Sequence, residues 1–428
     1  MKLGGRIAAA IEVLTEVEGR HRPVSESLKD WGIAHRFAGS GDRAVIGNLV
    51  YDALRWRASS AWAAGNDSAS SIMLSTVVRR WHLSPDSLAA LLADDPHAPA
   101  ADADLLTRAA AADLGTAPEP VRADVPEWAA PRLQRVFGDD WVAEGAAMAL
   151  RPPLDMRANR LRSNRDKVVA ALGKFGATPT LYSPDGVRIA PTSGAERHPN
   201  VQVEPAFVKG AFEIQDEGSQ IAAFAVGAKA GERILDLCAG AGGKTLALAS
   251  VMDNKGQVVA TDGDRARLAP IFERVKRAGA HNVEVREARA PLDDLVARMD
   301  AVLIDAPCTG TGTWRRRPDA KWRLTERALG NRVGEQAALL ADAVRYVKPG
   351  GRLVYVTCSI LPEENAGQVA AFIAAYPDFR PLSFADVLAA AGTAPALAGK
   401  ALDAGNGVVL SPRRTGTDGF FVSVLRRQ

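Results

Sequence analysis

The sequence predicts a multidomain chain: an α-helical front, a small α+β module, and an α/β doubly wound, Rossmann-like domain with a seven-stranded sheet. Three observations point to it. Apolar residues recur at helical spacing through the first 130 positions, and a stretch punctuated by Gly and Pro follows. After Gly231, short apolar runs alternate with helical segments, the mark of a parallel sheet covered on both faces.

In the front part, Ile7, Ile11, Leu14 and Val17 share one helix face and Ile46, Leu49, Val50 and Leu54 another, which predicts a small bundle over residues 1–130. Between 85 and 126 the chain turns rich in Ala, Asp and Pro (Pro85, Pro96, Pro99, Pro118, Pro120, Pro126), predicting short helices and a loosely structured linker. Residues 131–220 follow on a helical-looking Trp128 to Leu150. They pass Pro152-Pro153 into a mixed region broken by Gly173, Gly176, Pro179 and Pro184-Asp185-Gly186, a compact α+β module. In 221–428 the strand candidates are Arg233–Leu237, Gln257–Thr261, Val283–Arg286, Ala301–Ile304, Arg352–Val356, Val408–Leu410 and Phe420–Leu425.

A chain of 428 residues, 47% hydrophobic and 24% charged, can bury several substantial cores. Three widely spaced cysteines make no disulfide framework, so a reducing cytoplasm is the expected compartment, with neither signal peptide nor membrane anchor. Net charge is only +3, but Arg151 to Phe175 holds seven Lys or Arg against two Asp, a basic patch suited to phosphates. The six histidines fall in the front modules or in a loop and none pairs at metal-ligand spacing, so no metal is expected.

The first strand runs through Ile234-Leu235-Asp236-Leu237 into Cys238-Ala239-Gly240-Ala241-Gly242-Gly243-Lys244-Thr245, with a helix starting near Lys244. Glycines there let backbone N–H groups approach a ligand at a helix N-terminus. The turn is not a Walker loop, which needs glycine where Cys238 stands. Nor is it a dinucleotide fingerprint, because Thr245 occupies the last glycine position. What remains is a nucleoside-binding turn without a pyrophosphate, as in S-adenosylmethionine enzymes, with Asp262 at the end of the second strand able to accept hydrogen bonds from ribose hydroxyls. Cys238 needs only its backbone to face such a ligand. Lys244 suits either the ligand's carboxylate or a cap on the turn.

Two further thiols each follow an apolar run: Cys308 after Ala301–Ile304, within Asp305-Ala306-Pro307-Cys308, and Cys358 after Leu353–Val356, within Thr357-Cys358-Ser359. Chemistry in an open α/β sheet sits at the carboxyl ends of strands, so both positions favour reactivity over packing. Beyond Cys308 a glycine-rich loop leads to Trp314, Arg315, Arg316, Arg317, Lys321, Trp322 and Arg323, aromatic and basic residues interleaved as for an anionic, base-bearing polymer.

The segments Asp305–Trp322, Cys238–Thr245 and Thr357–Asn365 resemble the signature stretches of the Sun family of RNA cytosine-5 methyltransferases. Phe212–Gln220 and Gly416–Phe421 extend the likeness, and Asp42–Trp56 is similar to the NusB-like helical domain of the bacterial 16S ribosomal RNA branch. There are two departures. Ala241 stands where the family usually has proline, and the acid after the third strand is Glu287 rather than aspartate.

The resemblance implies an enzyme that uses S-adenosyl-L-methionine to methylate C5 of cytosine in RNA, with 16S ribosomal RNA expected over transfer RNA, acting as a monomer. Its cofactor would meet Cys238, Ala239, Gly240, Ala241, Gly242, Gly243, Lys244, Asp262, Glu287 and Asp305. Cytosine C5 is a poor nucleophile, so the reaction needs a thiolate at C6 and an acid at N3. Two thiols could attack, and the family pattern gives that role to Cys358, release to Cys308 and N3 to Asp305. RNA would be held by Arg157, Arg160, Arg162, Arg315, Arg316, Arg317 and Lys321. The rival readings are a non-catalytic RNA-binding assembly factor, against which the intact Asp305, Cys308 and Cys358 set argues, and a nicotinamide oxidoreductase, against which the broken fingerprint argues.

Overall fold

The computed structural model describes residues 1–428, which divide into two compact units. The first comprises Met1–Pro152, Pro191–His198 and Trp314–Leu324; the second holds the rest.

The first unit is helical. Its framework is α1 (Leu3–Arg20), α2 (Val24–Ala34), α3 (Ser40–Arg55), α4 (Arg57–Ala64), α5 (Ala69–Arg80), α6 (Pro85–Ala93) and α7 (Ala103–Ala111). Ile7, Leu14, Ile46, Leu49, Ile72 and Val77 form the centre of its core, and all are fully buried. The stretch 85–126, expected to be loose, is instead ordered helix and turn. Pro85 opens α6 behind the Ser84 cap, and Asp102 caps α7 by accepting from the Leu105 N–H. Proline at a first helical position costs no hydrogen bond, and Pro96 and Pro99 fall between helices, so these residues set boundaries without loosening the chain. Leu88, Leu92, Leu105 and Leu106 complete the core.

Two distant segments are tied into this unit by buried and half-buried polar contacts. Asp52 accepts from Arg151 and from the Trp81 indole, and Arg151 also donates to the Gly194 carbonyl. In the segment 314–324, the Arg315 carbonyl accepts from Arg55, Lys321 Nζ donates to the Arg55 carbonyl at 2.9 Å, and the Trp322 indole donates to Leu54.

The second unit begins with a four-stranded antiparallel sheet of β1 (Leu154–Ala158), β2 (Thr178–Pro179), β3 (Gly186–Ile189) and β4 (Phe212–Ile214), ordered β2-β3-β1-β4. Its larger sheet contains β5 (Arg233–Asp236), β6 (Gln257–Ala260), β7 (Val283–Val285), β8 (Met299–Asp305) and β9 (Val347–Thr357), all parallel where they pair. Four antiparallel strands complete it: β10 (Phe379–Pro381), β11 (Leu402–Asp403), β12 (Val408–Leu410) and β13 (Phe420–Arg427). The order is β11-β12-β13-β9-β8-β5-β6-β7, with β10 on β13.

The sheet therefore has nine strands rather than seven. The seven expected strands are present, and the additions β10 and β11 are pieces of three and two residues, too short to carry a period of their own. The inner positions of the central strands are mostly apolar, with Ile234, Val258, Val302, Leu303, Val354 and Val356 all fully buried, as a sheet covered on both faces requires. From β5 the chain runs outward through β6 and β7, then returns to lay β8 on the other side of β5. That reversal is a topological switch point, where a crevice opens beyond the strand ends.

Candidate active site

At the switch point, the turn after β5 crosses Gly240 at φ 49° and Gly242 at φ 83° before the helix Gly243–Val251 begins. A side chain at Gly242 would be strained by that φ and would place its Cβ 2.5 Å from Ile271. Asp262, buried just past the end of β6, holds the turn: its Oδ2 accepts the Gly240 N–H at 2.9 Å and its Oδ1 the Asp264 N–H at 2.9 Å. Beyond the ends of β6 and β7 lies a cavity of about 760 Å³ whose lining includes Gly263, Asp264, Leu268, Phe272 and Glu287. The exposed Glu287 thus shares a cavity with Gly263 and Asp264, the two residues that follow Asp262.

Beneath the turn, Asp236 ends β5 fully buried, with Oδ2 accepting from the Thr245 hydroxyl at 2.7 Å. Burial pushes its carboxyl up to about 7, against the opposing hydrogen bond from Thr245. The sequence reading passed over it as a strand residue. A lone acid closing an apolar strand was the available signal. Cys238 is buried as well, which raises its thiol well above the ordinary range and fits a residue used through its backbone.

On the other side of the switch point, Asp305 ends β8 half-buried, and Lys244 Nζ donates to its Oδ2 at 2.7 Å. Lys244 is itself buried, with its ammonium 5.3 Å from the centre of the Phe420 ring. Beside the two roles expected of it, Lys244 thus has a third, as partner of the strand-end acid. β8 and β9 pair in parallel with Asp305 opposite Val356, which brings the following loops side by side. The Sγ atoms of Cys308 and Cys358 lie 3.4 Å apart, both half-buried. Contact with Cys358, then burial and the charge of Glu364, raise the Cys308 thiol well above its ordinary value.

The loop carrying Cys308 is anchored from several sides. The Gly312 N–H donates to the Cys358 carbonyl at 2.9 Å, and the Gly419 N–H donates to the Gly312 carbonyl at 2.8 Å. Thr311 and Ser359 pair through their hydroxyls at 3.0 Å. After β9, the Asn365 amide binds both the Thr357 hydroxyl and the Ser359 carbonyl, which fixes the backbone on either side of Cys358.

The basic residues divide. Arg157 is fully buried on β1, opposite Glu213 on β4, and donates to Gln215 Oε1 at 2.7 Å. Arg315 and Lys321 are buried in the helical unit, and burial pushes the Lys321 ammonium down to about 8. These three are structural and not exposed contacts for RNA, a correction to the sequence reading. Arg162 and Arg317 are exposed, Arg316 is half-buried, and Arg160 is exposed but paired with Asp185 at 2.7 Å. No group of three or more His, Cys, Asp or Glu is placed to hold a metal ion, and no helix is long and apolar enough to cross a membrane.

Two family models match: "16S rRNA methyltransferase RsmB/F" over residues 223–426, and the ferredoxin-like domain of the same RsmF/B group over 125–193. A curated relative, ribosomal RNA small subunit methyltransferase B of Klebsiella pneumoniae, is 38% identical over 258 residues, 59% of this chain and 58% of that protein. The match thus spans less than two thirds of the relative's length. Among solved structures, a protein named PH0851 superposes with a TM-score of 0.71 at 24% identity over 99% of both chains, a likeness of fold. A methyltransferase homologue from Pyrococcus horikoshii gives a TM-score of 0.59 at 26% identity, over 72% of this chain and 98% of that one. By its two matching models and the glycine turn, acid and paired thiols they span, the chain belongs to the RsmB/F methyltransferase family.

Proposed function

We propose that the chain transfers a methyl group from S-adenosyl-L-methionine to C5 of cytosine in RNA, with 16S ribosomal RNA as the substrate, in the cytoplasm. The observation that carries this reading is the pair of thiols 3.4 Å apart at neighbouring strand ends, facing a crevice with a strand-end acid and a glycine turn. The turn fits the cofactor. Its glycine backbone allows close approach, Asp262 offers lone pairs beyond its two backbone bonds, and the adjoining cavity bordered by Phe272 and Glu287 accepts a planar base.

When bound, S-adenosylmethionine supplies an electrophilic methyl group. The remaining steps belong to the chain. The Cys358 thiolate adds to C6, which turns C5 into an enamine carbon able to attack the methyl group. Asp305, held by Lys244, meets N3 of the ring and lowers the barrier to that addition. After methylation the C5 proton passes to water, the pair it leaves re-forms the C5–C6 double bond as the C6–S pair returns to the Cys358 sulfur, and Cys308 assists that release.

The chain is read in three functional parts: a NusB-like RNA-binding bundle to about residue 130, an α+β RNA-binding module over 131–220, and the catalytic domain over 221–428. The ferredoxin-like model over 125–193 supports the middle part. Exposed Arg162 and Arg317, with Arg160 and Arg316, are the cations left to meet phosphates.

The test is transfer of labelled methyl groups from S-adenosylmethionine to bulk bacterial RNA, followed by nucleoside analysis. Label in 5-methylcytidine of the 16S fraction is expected. Label in another nucleoside, or none, overturns the reading.

A further inference from the structure

Behind the two thiols is a carboxylate that plays no part in the proposed reaction steps. Glu364 is fully buried, and its bonds are to neutral donors: Oε1 accepts the Thr309 N–H at 2.8 Å and the Gln336 side-chain amide at 3.0 Å, and Oε2 accepts the Thr309 hydroxyl. The Gln336 amide also donates to the Pro307 carbonyl at 3.0 Å, so the residues on both sides of Cys308 are held from this one place. Glu364 is in turn fixed to β9, because its own carbonyl accepts the Tyr355 hydroxyl at 2.7 Å. A carboxylate anchored to the strand of one thiol therefore grips the residue next to the other.

An ionised carboxylate in surroundings of low dielectric opposes negative charge nearby. The groups that bear on Cys308 are Cys358 across the crevice, Glu364 behind it and the Tyr355 phenol within β9; the helix Glu326–Ala343 contributes only the neutral Gln336. We propose that Glu364 is a positioning residue that divides the work between the thiols: through Thr309 it seats Cys308 against Cys358, and its charge keeps Cys308 as S–H, so that the anion of the pair forms on Cys358. This rests on the reading of Cys358 as the attacking thiol. Contact with Cys358 and burial raise the Cys308 thiol most, and the charge of Glu364 adds in the same direction. In a 3.4 Å pair, an S–H on Cys308 also donates a weak hydrogen bond that stabilises the thiolate opposite.

The test is iodoacetamide alkylation of the full chain without RNA or cofactor, followed across the thiol titration range, with each cysteine quantified by peptide mass spectrometry. In the wild type, Cys358 is expected to react first and at lower pH. Glu364→Gln keeps the size and removes the charge. It should lower the Cys358-to-Cys308 rate ratio by about tenfold, the equivalent of one pKa unit, by making Cys308 more reactive. Thr309→Val, which removes one bond to the carboxylate and keeps its charge, should move the ratio in the same direction by less.

An unchanged ratio in a folded Glu364→Gln protein overturns the proposal, as does a wild type in which Cys308 is the faster thiol. If Glu364→Gln does not fold, an unchanged ratio in Thr309→Val overturns it instead. Absence of methyl transfer would overturn the proposed reaction and still leave the ratio to judge Glu364.

Discussion

The two halves of the large sheet meet at the same switch point and are built differently. Beyond β5, β6 and β7 the contacts are made by backbone: Asp262 accepts two main-chain N–H groups, and the turn depends on positive φ at Gly240 and Gly242. Beyond β8 and β9 backbone bonds also anchor the Cys308 loop, but the crevice itself is made by pairs of side chains: Lys244 with Asp305, Cys308 with Cys358, Thr309 with Glu364, and Thr311 with Ser359. A main-chain cradle recognises shape and tolerates many side chains, whereas a crevice of paired side chains fails when one atom is changed. Substitutions on the first half should therefore cost affinity, and those on the second should cost chemistry.

The largest expected effect is on the thiol side. Cys358→Ala should abolish methyl transfer while calorimetry finds cofactor affinity unchanged, since no enamine can form without the attacking thiolate. Residual turnover above background would erase the division between the halves. On the cradle side, Asp262→Ala should weaken cofactor binding by about 1.5–3 kcal/mol, the worth of hydrogen bonds to a charged group. Glu287→Ala should cost less, because that carboxylate is exposed and water competes for its partners. Equal losses in the two variants would blur the cradle's ranking.

Asp236 sharpens the comparison from below the turn. Its pKa rises on folding from the ordinary carboxylate value to about 7, so the folded state holds a proton that the unfolded state loses first. Its contribution to stability is present at low pH and is lost as pH climbs from about 4 to 7. Against Asp236→Asn, which cannot ionise, the wild type should lose relative stability over that window in denaturant titrations. A constant difference between the two proteins would contradict the buried, protonated acid.

The smallest effect concerns RNA. Neutralising Arg162 and Arg317 should reduce the slope of log K against log salt by about 0.7 for each phosphate of a single strand that these cations neutralise. The buried Arg157 and Lys321, replaced in the same way, should lower stability instead. An unchanged slope in the first pair removes those two cations from the RNA surface.

What could be read in advance follows from the same contrast. Cys308, Cys358, Asp262 and Asp305 stand at the ends of apolar runs, so local pattern alone put them at strand ends, and the sheet then brought the thiols together. The fate of Arg157, Arg315 and Lys321 was set by partners far off in sequence: Glu213 and Gln215 for the first, Arg55 for the other two. A charge run carries no trace of such partners, so a solvated patch and a buried strut read alike. Residues 85–126 misled for a related reason. Their prolines mark helix starts and connections, and only packing of Leu88, Leu92, Leu105 and Leu106 distinguishes that from a linker. Glu364 lay inside a recognised segment, yet its grip on Thr309 crosses from one strand end to the next and has no local signature.

The central claim is that Cys358 makes the bond to C6 and Cys308 helps to break it. Its most direct test is denaturing electrophoresis of protein incubated with RNA and S-adenosylmethionine. Cys308→Ala is expected to accumulate a covalent protein–RNA band that Cys358→Ala does not form. A band in Cys358→Ala and none in Cys308→Ala would reverse the assignment, and full activity without a band in both would contradict covalent catalysis by this pair.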